Sequence, residues 1–286
     1  MKGGFYRPMH LHVARISTAH NGDPESWHHT IVGQSIFRGG LFEGMMAGKP
    51  ADPVLIEGVA DSAYKIPNFH VDVEMPTLDI PSLWWRSVGH SHTAYVMETL
   101  IDELASRAKV DPMAYRKRLL KSSPRHIAVL NLLAKKSPWG KHAPKGRAYG
   151  MAIHESFNSV VGHVAEVSIE GGKPRVHHIW SAVHCGRVVN PEGAKNQVEG
   201  AIVFGLSAAL YGEIKIDQGR VMTSNFNDYP VMRMNEMPKV DVHFVVTDDN
   251  PTGLGEPGLP PVAPAVANAL FKLKGKRHRR LPFVLS

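Results

Sequence analysis

One glutamate near the end of this 286-residue chain lies in surroundings that an ordinary surface carboxylate does not need. The segment GLGEPGLPP, residues 253–261, places Glu256 among glycines and prolines. Pro257 restricts the backbone of Glu256 to extended geometry, and the glycines allow conformations closed to other residues. A carboxylate held by its backbone suits a general base beside a reacting atom. The pattern equally suits a carboxylate that stabilises the N-terminus of the following helix, so the residues alone leave both interpretations open.

A second candidate is the segment HCGRVVNPEGAKNQVEG, in which a glycine-containing loop runs into a helix. Helix N-termini bind phosphates through free N–H groups, which makes the loop from Gly186 to Asn190 a possible ligand contact, with Gln197 further along the helix. Neither a GxxxxGK[ST] loop nor a GxGxxG loop after a strand is present. From the residues alone, a capped and tightly packed core helix is the preferred interpretation.

The segment WWRSVGHSH, residues 84–92, brings two tryptophans and Arg86 in front of a glycine and a helix. It suits a ligand-facing loop with Arg86 on an anion, or a packed turn whose arginine stacks on tryptophan. The chain has 17 histidines, and HLH and HSH would each place two imidazoles on one face of a strand, as a metal site does. No partner ligands follow at zinc-like spacing, so we expect ordinary half-buried histidines and assign no metal ligand.

Strands and helices alternate without a regular βαβ pattern, which predicts an α+β fold with mixed sheets and packed helices. The linker candidate SPWGKHAPKGRAYG, residues 137–150, divides the chain into predicted domains 1–140 and 141–286. The first is expected to contain strands and then three helices, and the second to contain the GEPG loop. The predicted elements are strands within 9–37, an extended edge-like segment at 64–81, helices at 93–108, 112–120 and 124–136, a hairpin around Gly171-Gly172, a helix from Pro191, a short hairpin at 213–221, a strand from Lys239, and a helix from about Pro261 to Leu273 ended by Gly275.

Composition excludes several classes of protein. The hydrophobic content of 43% and charged content of 21% are typical of a globular protein with a core. The single cysteine, Cys185, excludes an internal disulfide and a cysteine-rich zinc or iron–sulfur site. No apolar run predicts a membrane span, and the N-terminus lacks the apolar region of a signal peptide. The net charge of +7 is partly located in the tail 272–283, which we interpret as a solvated helix end rather than a nucleic-acid site.

Four segments in order resemble the large subunit of molybdenum hydroxylases, the xanthine dehydrogenase/aldehyde oxidase family. They are WWRSVGHSHTAYVMETLIDELA, HCGRVVNPEGAKNQVEGAIVFGLSAALYGEI, SNFNDYPVMRMNEMP and GLGEPGLPPVAPAVANAL. The isoquinoline 1-oxidoreductase β-subunit branch is the nearest match. The resemblance covers almost the whole chain and corresponds to the C-terminal part of the family subunit. It implies the C-terminal half of a xanthine-oxidase-type molybdenum-cofactor-binding domain, with a cofactor-binding subdomain on each side of the linker.

The resemblance implies a role for several residues in the second half. Glu256 matches the family's catalytic base, which deprotonates a hydroxyl on molybdenum. Gln197 matches the glutamine that hydrogen-bonds the pterin or an apical molybdenum ligand. Gly186 and Asn190 are implied beside the cofactor, and Gly255 is implied as a backbone contact. The implied cofactor is molybdenum–molybdopterin, in the cytosine dinucleotide form common in bacterial members.

In the first half, Arg86, Ser87 and Val88 fall where the family's Phe-Arg-Gly-Phe-type loop lies against the molybdenum centre. The sequence here is Trp-Arg-Ser-Val, which leaves the substrate-side contacts open. The family's glycine-rich GQG-type loop has no equivalent in this chain.

The implied activity is oxidative hydroxylation of N-heteroaromatic compounds or aldehydes, with water as the oxygen source. Electrons would pass to an iron–sulfur small subunit, because one cysteine cannot hold such clusters. We expect a missing N-terminal half or a companion large-subunit chain, no nucleic-acid partner, and a cytoplasmic location, or a periplasmic one if the complex is exported. The alternative is a noncatalytic remnant or an assembly or scaffold protein of the same fold.

Overall fold

The chain divides into two compact units between Ser122 and Ser123 in a computed structural model that describes residues 2–285. The sequence predicted this boundary later, after residue 140. The difference arises because the helix Pro124–Lys136, predicted to belong with the first unit, packs on the sheet of the second. Its buried residues Val129, Leu130 and Leu133 form the apolar stripe that holds it there.

The first unit is built on a three-stranded sheet with the order β1-β2-β3. Its elements are β1 (His10–Thr18), β2 (Pro24–Gly33), α1 (Pro53–Ile56), β3 (Asn68–Glu74), α2 (His90–Arg107) and α3 (Pro112–Leu119). The strands β1 and β2, predicted within residues 9–37, form an antiparallel hairpin, and β3 adds to β2 in parallel. The predicted edge-like segment is therefore an edge strand.

The core of this unit forms where α2 and α3 cover one face of the sheet. Trp27 and Ile31 of β2 pack with Met97, Ile101 and other buried residues of the helices. Alternate residues of β2 are buried, as expected for a strand with one covered face. The covered face therefore sets the register of the hairpin.

A buried ion pair joins α3 to α2. Arg116 is fully buried, and its Nε donates a 2.9 Å hydrogen bond to Glu98 Oε2. Asp102 Oδ1 lies 3.8 Å from Arg116 Nη1, and the Tyr64 hydroxyl donates to Glu98. Burial alone would lower the pKa of Arg116, but Glu98, Tyr64 and Asp102 raise it above its usual range. A charge this well compensated fixes how the two helices pack.

Buried and half-buried imidazoles form a hydrogen-bonded series in the same unit. His12 Nδ1 is 2.9 Å from His29 Nε2, and His12 Nε2 is 2.9 Å from His92 Nδ1. Because the Trp27 indole can only donate, His29 Nδ1 must accept, which sets the proton positions along the series if the rings are neutral. The series ends at His92 Nε2, a buried atom without a hydrogen-bond partner among residues 2–285.

The expectation for the HSH segment was wrong in one respect. His90 and His92 lie in the first turn of α2, not on a strand. Residues two apart on a helix face different ways. His92 therefore stacks on His10, with ring centroids 3.6 Å apart, while His90 Nε2 lies 3.8 Å from Glu57.

The second unit is built on a four-stranded sheet with the order β4-β5-β6-β9. Its elements are α4 (Pro124–Lys136), β4 (Arg147–Ser156), β5 (Ser159–Glu170), β6 (Lys173–His184), α5 (Pro191–Leu210), β7 (Ile216–Asp217), β8 (Arg220–Val221), β9 (Lys239–Phe244) and α6 (Val262–Lys274). β9 runs parallel to β6, and the remaining neighbours are antiparallel. The sheet therefore continues past the predicted hairpin on both sides.

Helices cover both faces of this sheet. A Cβ added to Gly150 of β4 would lie 2.2 Å from the backbone of Ala265 and Ala269, so α6 contacts the sheet closely there. Gly162 of β5 faces Val129 and Leu133 of α4 on the opposite face. Ten of the twelve residues of β5 are buried as a result. A strand covered on both faces needs no alternation of polar and apolar residues.

The α+β fold class is confirmed, and the helices from Pro124, from Pro191 and before Gly275 begin or end as predicted. Gly275 ends α6 in the left-handed conformation, with φ 69°. Strand β4 was missed, and residues 147–150 of the predicted linker belong to it. None of the described helices is long and apolar enough to cross a membrane.

The half-buried histidines of the first unit predict acid sensitivity. Burial, followed by the charge of Arg7, lowers the pKa of His10 to about 4, and burial followed by His29 and His10 lowers the pKa of His12 to about 3. The unfolded chain takes up protons below about pH 6.5 while the folded chain does not. The contribution of these histidines to the free energy of unfolding should therefore be complete above pH 6.5. As the pH decreases below 6.5, each such histidine should lower the free energy of unfolding by up to about 1.4 kcal/mol per pH unit.

Urea unfolding between pH 7.5 and 5 measures this decline. The control His12→Gln should start less stable at pH 7.5 and lose less stability on acidification. Glu57 has the opposite effect on the free energy of unfolding, because burial raises its pKa to about 7 and the folded chain then takes up this proton before the unfolded chain does. It is a single group, so the effect of the several histidines is larger. A stability that is constant or rises between pH 6.5 and 5 would contradict the prediction.

Candidate functional site

The GEPG loop is fastened to the second unit at both ends. Before Glu256, the Gly253 N–H donates to Phe157 O at 3.2 Å, and the Ser159 hydroxyl donates to Gly253 O. After it, Gly258 O accepts a 2.8 Å hydrogen bond from His163 Nε2. Glu256 is partly exposed between these anchors, and its own carbonyl accepts from Leu259 N at 3.0 Å. The backbone of the glutamate is thus held in place from the sheet.

His163 is the residue of this site that sequence reasoning missed. It lies in β5, fully buried, and a carbonyl can only accept, so its Nε2 carries the hydrogen. Burial lowers the pKa of His163 to about 4, against the opposing effect of its backbone hydrogen bonds. The ring is therefore neutral at neutral pH. No sequence motif indicates the role of His163, because its hydrogen-bond partner, Gly258, lies far along the chain.

Helix α5 packs against the other side of the GEPG loop. A Cβ on Gly258 would lie 3.0 Å from Ala201 Cβ and 3.3 Å from Val198 Cα, so the glycine permits this approach. One residue before Val198, Gln197 is exposed, and its Oε1 lies 3.7 Å from where a Cβ of Gly255 would be. The structure therefore brings Gln197 and Gly255 together, next to Glu256.

The loop after β6 joins the same region. The Thr252 N–H donates to Cys185 O at 2.9 Å, immediately before the GEPG loop begins. Gly186 has φ 71°, and a Cβ there would lie 2.0 Å from Asn250 O. Asn190 caps α5 by accepting a hydrogen bond from Gly193 N at 3.0 Å, as its position before Pro191 predicts. Gly186 and Asn190 are thus placed by the strand end and the helix start.

In the first unit, the Trp-Arg-Ser-Val segment forms a strained turn before α2. Ser87 and Val88 both have positive φ, 74° and 46°, although neither is glycine. The left-handed conformation is a genuine outlier for a β-branched residue, and such strain concentrates at functional loops. Gly89 follows, and a Cβ there would lie 1.7 Å from Val54 O, so the turn presses directly on α1.

Glu57 supports this turn and was not expected from the sequence. The Gly89 N–H donates to Glu57 Oε1 at 2.6 Å, which ties the turn to the end of α1. Burial raises the pKa of Glu57 to about 7, and the backbone hydrogen bonds from Gly89 and His90 limit the rise. A small cavity of about 20 Å³ lies beside the turn and is lined in part by Arg7 and Trp85.

Comparison with known proteins identifies the family. A model described as a molybdopterin cofactor-binding domain matches residues 96–238, and another with the same description matches residues 41–120. The chain belongs to the molybdopterin cofactor-binding domain family. The resemblance stated from the sequence is confirmed at this level.

Curated relatives agree with this assignment. The β subunit of isoquinoline 1-oxidoreductase from Brevundimonas diminuta is 34% identical over 77% of this chain and 29% of its own length. A membrane-bound aldehyde dehydrogenase named for pyrroloquinoline quinone, from Gluconacetobacter polyoxogenes, is 33% identical over 82% of this chain and 33% of its own length. The chain therefore spans about a third or less of the relatives it matches.

Solved structures share the fold. Quinoline 2-oxidoreductase from Pseudomonas putida 86 superposes with a TM-score of 0.78 at 12% identity, covering 98% of this chain and 62% of that one. The aldehyde oxidoreductase from Desulfovibrio gigas gives a TM-score of 0.72 at 13% identity, over 96% of this chain and 48% of that one. At these identities the likeness establishes the architecture of the molybdopterin-binding fold.

The residues of the second unit fit a molybdopterin group by their chemistry. A pterin presents hydrogen-bond donors and acceptors along its ring edges, and the exposed carboxamide of Gln197 offers both. Gly255 is exposed and lacks a side chain, so a flat ligand can approach its backbone. Arg187 is exposed in the loop after β6, with its Nη2 3.6 Å from Asp248 Oδ1, and its guanidinium suits a phosphate if it exchanges that partner.

We predict that removing the imidazole of His163 loosens the GEPG loop of this molybdopterin-binding domain. His163→Phe keeps an aromatic ring but leaves Gly258 O without its donor, and should cost about 1–3 kcal/mol of unfolding free energy. Urea unfolding measures the loss, and hydrogen exchange at the Leu259 amide should accelerate. His142→Phe, in an exposed loop, is the control and should be nearly neutral. Unchanged stability and exchange in His163→Phe would refute the anchoring role.

A second prediction concerns the strained turn. Val88→Gly removes the cost of a left-handed β-branched residue, about 1–2 kcal/mol, and adds a smaller loss from the flexibility of glycine in the unfolded chain. The variant should be as stable as the parent or up to about 1 kcal/mol more stable by thermal unfolding. Val96→Gly, inside α2, should instead be destabilised by at least about 1 kcal/mol. Equal losses in the two variants would show that the turn is not strained.

Proposed function

We propose that this chain forms the base-bearing part of the catalytic subunit of a molybdenum hydroxylase that oxidises N-heteroaromatic compounds or aldehydes. The observation that supports it most is the anchoring of Glu256. Its backbone is held by β5 on one side and by α5 on the other, with Gln197 and Gly255 adjacent. A family that binds molybdopterin, and a glutamate whose backbone is anchored beside an exposed carboxamide, together support such a reaction.

Glu256 acts as the general base in this proposal. Its carboxylate accepts a proton from the attacking oxygen nucleophile as the carbon–oxygen bond to the substrate forms. A base contributes most when its position is fixed before the reaction, because little reorganisation is then needed. The anchors at Gly253 and Gly258 supply that rigidity. The molybdenum cofactor, when bound, supplies the two-electron oxidising chemistry.

The neighbouring residues bind the cofactor. Gln197 donates and accepts hydrogen bonds through its carboxamide, and the backbone at Gly255 provides a contact without steric obstruction. Gly186 and Asn190 set the loop between β6 and α5, which suits the phosphates of a cytosine dinucleotide form. Each unit of the chain is then a cofactor-binding subdomain.

The strained turn has the corresponding role in the first unit. We assign Arg86, Ser87 and Val88 to contacts with the molybdenum group, because two of the three hold positive φ. The substitution Trp-Arg-Ser-Val for the Phe-Arg-Gly-Phe-type sequence adds side chains at this turn.

Electrons leave for an iron–sulfur subunit in this proposal, since the chain has one cysteine and that residue is buried. The rest of the catalytic subunit completes the cofactor-binding cleft, whether it lies on the same polypeptide or on another one. The relatives named for isoquinoline and for an aldehyde support these two classes of substrate.

The central prediction is that Glu256→Gln abolishes turnover while the cofactor stays bound. Loss of a general base should reduce turnover by about 10²–10⁴-fold, because the amide has the same shape but cannot accept the proton. The assay is made on the assembled complex, with an N-heterocycle or an aldehyde and an artificial electron acceptor. Molybdenum content is measured by plasma mass spectrometry.

Glu170→Gln is the matched control, because Glu170 is exposed at the opposite end of β5 from the loop anchor at Ser159. It should keep full activity and full molybdenum. Turnover retained in Glu256→Gln would remove the base assignment. A complex without molybdenum would instead support the alternative of a noncatalytic protein, and a complex with pyrroloquinoline quinone in its place would refute the cofactor.

A further inference from the structure

Two histidines and an aspartate come together on the first unit's sheet, on the face that α2 and α3 leave uncovered. His28 of β2 pairs directly with His70 of β3, and Asp72 follows two residues along β3, so all three side chains point the same way. His70 Nε2 lies 2.8 Å from Asp72 Oδ1, and His28 Nε2 contacts Asp72 Oδ2. One ligand atom from each residue lies within 4.8 Å of the others.

This donor set matches a zinc ion. Zn²⁺ takes imidazole nitrogens and carboxylate oxygens at about 2.0–2.2 Å in tetrahedral geometry, so the three atoms need only separate slightly around an ion. The strand pairing holds all three Cβ atoms in place, which limits the entropy lost on binding. The side chains are 42%, 69% and 44% exposed, so water reaches the fourth position. We propose that His28, His70 and Asp72 bind a Zn²⁺ ion.

The second unit contains a natural counterpart of this arrangement. His178 of β6 pairs with Lys239 of the parallel strand β9, and Asp241 follows two residues later. His178 Nε2 lies 2.7 Å from Asp241 Oδ2, as in the first unit. Lys239 Nζ, 3.5 Å from the same carboxylate oxygen, takes the place of the second imidazole.

The two arrangements differ in the residue paired with the first histidine, His70 in one and Lys239 in the other. An ammonium group has no lone pair to offer and repels a cation, so the second arrangement is an ion pair. The first has an imidazole at the corresponding position and no lysine in the strand pair. His70 is therefore the deciding residue, and exchanging histidine and lysine between the two places should exchange their properties.

Hydrogen bonds from His28 and His70 also explain the contacts of Asp72. The experiment must therefore distinguish three hydrogen-bonded side chains from a metal site. Co²⁺ is the probe, because it takes the same ligands as Zn²⁺ and absorbs visible light when bound to nitrogen and oxygen in tetrahedral geometry. The untagged full chain is titrated with Co²⁺, and Zn²⁺ is then added to displace it. Circular dichroism confirms that each variant is folded.

The parent chain should bind Co²⁺ with tetrahedral absorption that Zn²⁺ abolishes. His70→Lys and Asp72→Asn should each weaken binding by more than about tenfold, since the first removes a ligand and the second replaces an anionic oxygen ligand with a neutral amide oxygen. Lys239→His should create a second site in the other unit. Because His70 is exposed, its replacement leaves the core of the unit intact.

Co²⁺ binding by His70→Lys with the parent affinity would overturn the proposal. So would an absence of tetrahedral absorption in the folded parent chain. Failure of Lys239→His to gain a site would also count against it, because the two arrangements would then differ in more than this residue. Loss of molybdenum-dependent activity plays no part in the test, so its result stands apart from that of the proposed hydroxylase function.

Discussion

The hydrogen bond from His163 to the Gly258 carbonyl is the constraint on which the candidate site depends. It joins the interior of the sheet to a loop whose other end is held through Gly253. Strand β5 supplies both anchors, Ser159 at its start and His163 four residues later, on one strand buried on both faces. A strand packed between two helical layers cannot shift without disturbing both, so its rigidity passes to the loop. The backbone from which the flexible Glu256 side chain extends is thereby held in one position.

The two units share an arrangement of three strands and a helix, to which the second unit adds α4, β4, α5, β7 and β8. Each has an antiparallel hairpin, a third strand parallel to the hairpin's second strand, a constrained loop and then a helix. In the first unit the loop is the turn with Ser87 and Val88, and in the second it is the GEPG segment. The constraints differ, because one turn uses positive φ and the other uses prolines and glycines. In both cases the loop with the candidate chemistry directly precedes a helix.

Local signals in the sequence predicted local structure well. Asp111 before Pro112 marks the start of α3, Asn190 before Pro191 marks the start of α5, and Gly275 ends α6, because caps are made by neighbouring residues. The placement of α4 was not predictable in this way. Its pattern shows that one side is buried but not which sheet buries it, so the boundary between the units was placed too late.

Tertiary contacts explain the remaining differences. Strand β4 was missed because most of its residues are buried and polar and apolar residues do not alternate along it. His163 and Glu57 owe their importance to partners distant in sequence, and no spacing rule connects them. The segments around Glu256 and Gln197, by contrast, were recognisable because several residues of each motif are contiguous. Their adjacency in space, through Gly255, came only from the structure.

The single thiol has a practical consequence. Cys185 is 5% exposed, and burial raises its pKa, so little thiolate is present at neutral pH and reagents reach it slowly. A cysteine introduced on the surface would react with a spectroscopic label far sooner than the native one. Fluorophores or spin labels can therefore be attached at chosen positions without first removing the natural residue, which makes the motions of the anchored loop directly measurable in an otherwise unaltered protein.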